Sequence, residues 1–317
     1  MCLVCEYKNT EKKVSLEDLT SLESLECNGC GRLTEIPFLP NLKSLNCDGC
    51  TGLTEIPFLP SLENIYCTDC TGLTEFPFFP NLKILDCSRC TRLTKIPSLP
   101  NLKRLNCSDC TGLTEIPLLP NLKYIDCSCC TGLMKFPSLY NLKRLNCSDC
   151  TGLTEIPCLP NLKSLHCAYC TGLTKIPYLS NLKSLNCTDC TGLMKFPSLP
   201  NLEFLSCSGC TTLKHIPPLP HLNDLFCMNC TMLTNLPDLP YNRILRCEGC
   251  PWLNYGVNPK YEENIRKLVT LQQWCKTNNQ YWRFKRWVKT EDFARFFYAP
   301  DQLGGRLIKN HLATLVS

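Results

Sequence analysis

A twenty-residue unit recurs from residue 22 to residue 250 without an insertion or deletion, which leaves little freedom in the choice of fold. Its consensus is L-x-x-L-x-C-x-x-C-x-G-L-T-x-I-P-x-L-P-N, as at Leu102-Lys103-Arg104-Leu105-Asn106-Cys107-Ser108-Asp109-Cys110. Leucines return every twenty residues from Leu22 to Leu222, and twelve cysteine pairs run from Cys27/Cys30 to Cys247/Cys250. A unit this short cannot bury an apolar face by itself. Stacked copies can, so the fixed period predicts a solenoid.

Inside the unit, the segment around Leu25-Glu26-Cys27 alternates apolar and polar residues and predicts a short strand. Stacking pairs these strands in parallel about 4.8 Å apart, so twelve of them span about 50 Å. Leu25, Cys27, Cys30 and Leu33 are expected to point inward, with Ile36 and Leu39 closing the core from the other side and Thr34 at the turn between the halves. The second half reads I-P-x-L-P. Prolines recur in phase from Pro37 to Pro237, and a second series from Pro40 to Pro240 is broken by Tyr140 and Ser180. Proline fixes φ and removes a donor, so extended, polyproline-like chain is expected on the convex side in place of helix.

The two ends differ from the repeats. Residues 1–21 read as a degenerate N-terminal cap, with Leu16 and Leu19 leading into the first unit and Glu11-Lys12-Lys13 as its polar surface. After Cys250 the composition changes: residues 251–317 carry 11 Lys+Arg against 5 Asp+Glu, and all four Trp lie at or beyond position 252. Asn258-Pro259 opens one expected helix, Thr290 followed by Glu291 and Asp292 opens another, and Pro300 ends it. A small basic helical domain, 251–317, is therefore expected after the 22–250 solenoid. Its Arg283, Lys285, Arg286 and Lys289 interleave with aromatics, a composition compatible with nucleic acid. The solvated side of a capping domain gives the same letters and is the preferred reading.

The L-x-x-L-x-C-x-x-C-x-x-L-T half resembles the cysteine-containing leucine-rich repeats of F-box ubiquitin-ligase subunits, and I-P-x-L-P is similar to the short repeats of bacterial effectors. With the tail segments Trp282-Arg283-Phe284 and Phe297-Tyr298-Ala299-Pro300-Asp301-Gln302-Leu303-Gly304-Gly305, the whole resembles leucine-rich-repeat proteins of amoebal giant viruses. The resemblance implies an α/β-type horseshoe, mostly β, of twelve units. It also implies a non-enzymatic interaction protein that binds a host or viral protein on its concave face. A substrate-recognition subunit of a ubiquitin ligase is the alternative, although residues 1–21 are too short for an F-box. The start Met1-Cys2-Leu3-Val4-Cys5-Glu6-Tyr7 lacks a secretory pattern, so an intracellular setting is expected, in the host cytoplasm if viral. No run approaches bilayer-crossing length, and no membrane partner is expected.

Of the 29 cysteines, 24 are the repeat pairs; the others are Cys2, Cys5, Cys129, Cys158 and Cys275. C-x-x-C, sixteen residues, C-x-x-C matches a zinc-ribbon spacing. It recurs, however, at the positions where stacked repeats need small inward residues, and free cysteine packs as a small hydrophobe. A structural thiol ladder in a reducing compartment is the favoured reading, with a metal-loaded thiol protein as the alternative. Cys2-x-x-Cys5, outside the register, reads as an inert terminus. No cofactor is expected. His166, His215, His221 and His311 are dispersed and suggest no catalytic constellation. Cys107-Ser108-Asp109 matches the Cys-x-Asp letters of bacterial ligases only through the repeat.

Recognition is expected on the outward strand positions, which vary while the core does not. Tyr124, Arg144, His166, Tyr169, Phe204 and Phe226 form the candidate partner site, because Tyr and Arg commonly anchor protein interfaces. Drift of surface positions among copied repeats is the competing account, and units 101–120 and 141–160 are nearly identical.

Overall fold

The computed structural model describes residues 20–234, 236 and 244–250. Most of the expected cap and all of the expected 251–317 domain, including Arg283, Lys285, Arg286 and Lys289, lie outside these residues.

The described chain is a solenoid of twelve three-residue strands. They are β1 Ser24–Glu26, β2 Ser44–Asn46, β3 Asn64–Tyr66, β4 Ile84–Asp86, β5 Arg104–Asn106, β6 Tyr124–Asp126, β7 Arg144–Asn146, β8 Ser164–His166, β9 Ser184–Asn186, β10 Phe204–Ser206, β11 Asp224–Phe226 and β12 Ile244–Arg246. They form one parallel sheet in sequence order. Every residue pairs with its counterpart twenty positions on, as Arg104↔Tyr124 and Asn106↔Asp126 do. Among the described residues no helix forms between strands, as the proline pattern predicts. Two isolated parallel bridges, Glu115↔Lys135 and Lys195↔His215, are the sparse pairing of the loop half.

The consensus apolar positions form one continuous core. In a central unit Leu102, Leu105, Cys107, Cys110, Leu113, Ile116 and Leu119 are all at most 4 % exposed. The expected inward set is therefore correct, except that Cys30, in the first unit, is only half-buried.

The two cysteines of each pair do different work. The second donates its thiol to the backbone carbonyl of the first cysteine one unit earlier: Cys110 to Cys87 at 3.1 Å, Cys130 to Cys107 at 3.0 Å, Cys150 to Cys127 at 3.1 Å. The same contact runs from Cys50 to Cys250. The carbonyl that receives it also accepts the N–H of the second cysteine of its own unit, as Cys107 O does from Cys110 at 3.3 Å. The first cysteine is wholly buried and its N–H bonds forward across the sheet, as Cys107 N does to Asp126 O at 2.8 Å; in some units its thiol leans on the same forward carbonyl, as Cys67 Sγ does on Asp86 O at 3.2 Å.

A second ladder, not assigned from the consensus, runs along the proline half. The Asn that follows L-P donates its side-chain amide to a carbonyl of the unit before: Asn101 to Pro80, Asn121 to Pro100 and Asn141 to Pro120, each at 2.8 Å. These carbonyls have no strand partner, so a side chain must satisfy them. Where Ser61 replaces Asn, its hydroxyl reaches Pro40 O at 2.7 Å.

The glycine of T-G-L lies where the units come closest. A Cβ at Gly72 would stand 2.5 Å from Leu53 O and 2.9 Å from Thr51 O, closer than real side chains approach backbone. Other units hold Arg92, Thr212 and Met232 at the same position, so this close approach belongs to the individual unit and is not a requirement of the repeat.

These roles separate two substitutions of equal size. Cys130→Ser keeps a donor aimed at Cys107 O and should change stability by no more than about 1 kcal/mol. Cys107→Ser puts a hydroxyl into an apolar column beside a carbonyl already bonded by backbone, and should cost about 1–3 kcal/mol. Thermal melting of the two variants, followed by circular dichroism, compares them directly.

Candidate functional site

Each strand directs its middle residue into the core and its first and third residues outward. The register stacks these into two columns on the strand face. The first residues read Ile84, Arg104, Tyr124, Arg144 and Ser164 across β4–β8, and the third read Asp86, Asn106, Asp126, Asn146 and His166.

The third-residue column is largely committed to local structure. Asp126 Oδ1 accepts from the backbone N of Ser128 at 3.0 Å and from its hydroxyl at 2.7 Å, and Asp126 Oδ2 accepts from Asn146 Nδ2 at 2.9 Å. Asp86 repeats the pattern with Ser88 and with Asn106 Nδ2 at 3.0 Å. These are Asx turns that fix the chain as it leaves the strand. Their acceptors are largely spent before a ligand arrives.

The first-residue column differs. Arg104 and Arg144 make no hydrogen bond or ion pair among the described residues. Their guanidinium carbons lie 5.7 Å and 5.8 Å from the ring centroid of Tyr124, one on the strand before it and one on the strand after. The exposed Tyr124 ring is thus held between two cations, an attraction worth about 0.5–1 kcal/mol each at an exposed site. A groove of about 550 Å³ runs over this arrangement, lined by Tyr66, Asp86, Arg104, Tyr124, Asp126, Arg144 and His166 among others.

Of the six residues nominated from sequence, the structure brings Tyr124, Arg144 and His166 to this groove. Phe204 and Phe226 stand apart, four and five strands from Tyr124, as a tilted pair with ring centroids 5.6 Å apart. Tyr169 lies in the turn row beyond the strands, at φ 59° and half exposed. Each unit has a left-handed residue here, because its N–H must reach the next unit, as Tyr169 N does to Thr188 O at 2.7 Å. Gly, Asp and Asn fill most of these positions, and all tolerate this region. Arg89, Cys129 and Tyr169 do not, at about 1–2 kcal/mol each. Arg104 is not among the residues nominated from sequence, although it lies twenty positions before Tyr124 as Arg144 lies twenty after it, an equivalence visible in the repeat.

The thiols are poor candidates for chemistry. The 24 described cysteines from Cys47 to Cys250 are free thiols. Burial, then bonding to the next unit's Cys90, pushes Cys67 well above the ordinary thiol range, and burial does the same at Cys127 and Cys187. Cys129 is pushed up to about 11 by burial and then by the charges of Asp109 and Asp149. At Cys130 and Cys170 the bond shared with the first cysteine one unit earlier lowers the thiol against the effect of burial, yet both are wholly buried and closed to reagents. Among the described residues no three His, Cys, Asp or Glu side chains are grouped to hold a metal ion. No described helix is long and apolar enough to cross a membrane.

Residues 20–61 match a family model described as leucine-rich repeats in two copies. Later units continue the same pattern in the same register. Among solved structures, the chain is similar to YopM, a leucine-rich effector protein from Yersinia pestis, at 23 % identity and a TM-score of 0.44, over 78 % of this chain and 86 % of that one. It is also similar to a leucine-rich repeat protein from Bacteroides ovatus at 20 % identity and a TM-score of 0.44, over 73 % and 80 %. The functional domain of InlJ from Listeria monocytogenes, described as including a cysteine ladder, aligns at 20 % identity and a TM-score of 0.26, over 74 % and 64 %. No curated protein matches the chain.

Two expected outcomes follow from this geometry. Alkylation of the native protein near pH 7.5, read by peptide mass spectrometry, should modify exposed Cys158 first, and Cys129 only as the pH approaches 11. The ladder thiols should react only after unfolding. Tyr169→Asn, which copies Asn229 at φ 55°, should raise stability by about 1 kcal/mol in a thermal melt.

Proposed function

We propose that this chain is a non-enzymatic protein-binding scaffold that takes its partner on the strand-lined face, centred on Tyr124. One observation carries the reading. Arg104, Tyr124 and Arg144 are outward, stacked on one another and serve no turn or core, whereas the adjacent Asx column is occupied with turn structure. Tyr and Arg at the middle of a face, with ordered side chains and spare donors, have the composition of interface hot spots. A rigid sheet of this kind holds them in place at little further entropic cost on binding.

Binding suits the chemistry better than turnover. His166, the one imidazole in the groove, has no hydroxyl, thiol or carboxylate hydrogen-bonded to it among the described residues. The thiols nearby are buried. A host or viral protein as partner rests on the resemblance of the repeats, combined with the 282–305 segments, to giant-virus leucine-rich-repeat proteins.

Affinity capture with quantitative mass spectrometry tests this. The double variant Tyr124→Ala/Arg144→Ala should lose its specific partner at least about ten-fold, equivalent to ~1.4 kcal/mol. Phe58→Ala, an exposed residue of the loop half, should leave capture unchanged. A partner kept by the double variant and lost with Phe58→Ala would place the interface on the other face.

A further inference from the structure

We infer that the ligand of the strand face is an extended acidic peptide segment of a partner protein, lying along the stack over β5–β8. The inference rests on the binding face proposed above and adds the chemistry of its occupant.

The residue just before each strand forms a third outward row. At its flanks this row is charge-paired: Lys43 with Glu23, Lys83 with Glu63 and Lys183 with Glu203, each at 2.7 Å. In its centre the alternation stops. Lys103, Lys123, Lys143 and Lys163 follow one another on adjacent strands, all exposed, and none has an ion-pair partner among the described residues. Their effect reaches the last flanking acid: Glu63 is held below the usual carboxylate range by its hydrogen bond from Lys83, with Lys43 and Lys103 adding to it. Like charges on neighbouring strands about 4.8 Å apart repel and destabilise a sheet. Beside this row, on the same four strands, stand Arg104 and Arg144.

The two rows together form a basic strip at the strands' N-terminal ends. Tyr124 keeps both guanidiniums stacked, so less side-chain freedom is lost when each takes a carboxylate, and two strand spacings set them about 10 Å apart. On an extended chain at ~3.3 Å per residue, side chains of one face recur about every 6.6 Å, so acidic residues at alternate positions keep a row of carboxylates within reach of both guanidiniums. Across the strands the sign reverses. Asp109, Asp149 and Asp189 occupy the turn row at the C-terminal ends, and Asp86 and Asp126 lie between. A nucleic acid, which presents phosphates along its whole backbone, is repelled by that acidic side. A peptide one strand wide can lie on the basic strip alone.

Fluorescence anisotropy of the full chain tests the assignment with a labelled peptide of alternating Glu and Gly, about twelve residues and ~40 Å long when extended. Oligothymidylate of equal charge serves as the second probe. The peptide should bind, weaken with added salt, and lose at least about ten-fold in Arg104→Glu/Arg144→Glu. The milder Lys123→Gln/Lys143→Gln should lose several-fold, which keeps the test valid where the charge reversal disturbs folding. Lys135→Glu/Lys195→Glu, exposed on the loop half, should bind as the parent does. The inference is overturned by no peptide binding, by equal losses in the loop-half control, or by tighter binding of oligothymidylate with the same dependence on Arg104 and Arg144. If the peptide fails while partner capture still depends on Tyr124, the binding face stands and only its acidic occupant falls. If both fail, the face itself is wrong.

Discussion

Backbone carbonyls at the turn after each strand must find donors in a structure where no unit owns a core. That need, met by an N–H of the same unit together with the thiol of the next, is what the rest of this fold depends on. Leucines alone would stack in several registers, since their contacts are non-directional. A thiol 3.0 Å from one particular carbonyl, as Cys130 is from Cys107, admits a single register. The Asn amides perform the same service on the opposite side, with Asn121 on Pro100 O at 2.8 Å. Two directional ladders on either side of an apolar column make each unit's position a consequence of its neighbour's.

This arrangement divides the positions of the repeat sharply. Inward leucines, the cysteine pair, the glycine and the Asn are bound by packing or by hydrogen bonds, and a change at any of them is felt by two units. First strand residues are bound by nothing in the fold. Variation is therefore inexpensive only there and in the exposed rows beside them, and that is where Arg, Tyr, Phe and Lys gather. The turn row is intermediate: it demands left-handed backbone, which Gly, Asp and Asn provide with little strain, while Tyr169 holds it at a cost.

Much of this was legible in the letters. The strand positions, the parallel register, the inward set and the extended proline half all follow from a period of twenty combined with alternation, because copies in identical surroundings must adopt identical conformations. The two outward columns were legible too, since residues twenty apart must stand side by side. The Asn ladder was not, although Asn is in the consensus: its amide serves a carbonyl twenty-one residues back, a partner that exists only after stacking. Nor could the six nominated site residues be grouped correctly. Tyr124, Arg144 and His166 share a groove, Phe204 and Phe226 pair elsewhere, and Tyr169 lies in the turns.

Sequence by itself determined that this chain stacks, what it buries and in what order its strands pair, since periodicity and hydrophobic burial are properties of the chain's own composition. Only the tertiary structure decided which outward side chains are free. Asp126 and Arg144 look equally available on paper, yet the carboxylate is bonded to Ser128 and Asn146 while the guanidinium rests on Tyr124 with its donors unspent. Hydrogen-bond saturation depends on angles and distances between units, and those come into being only when the units close on one another.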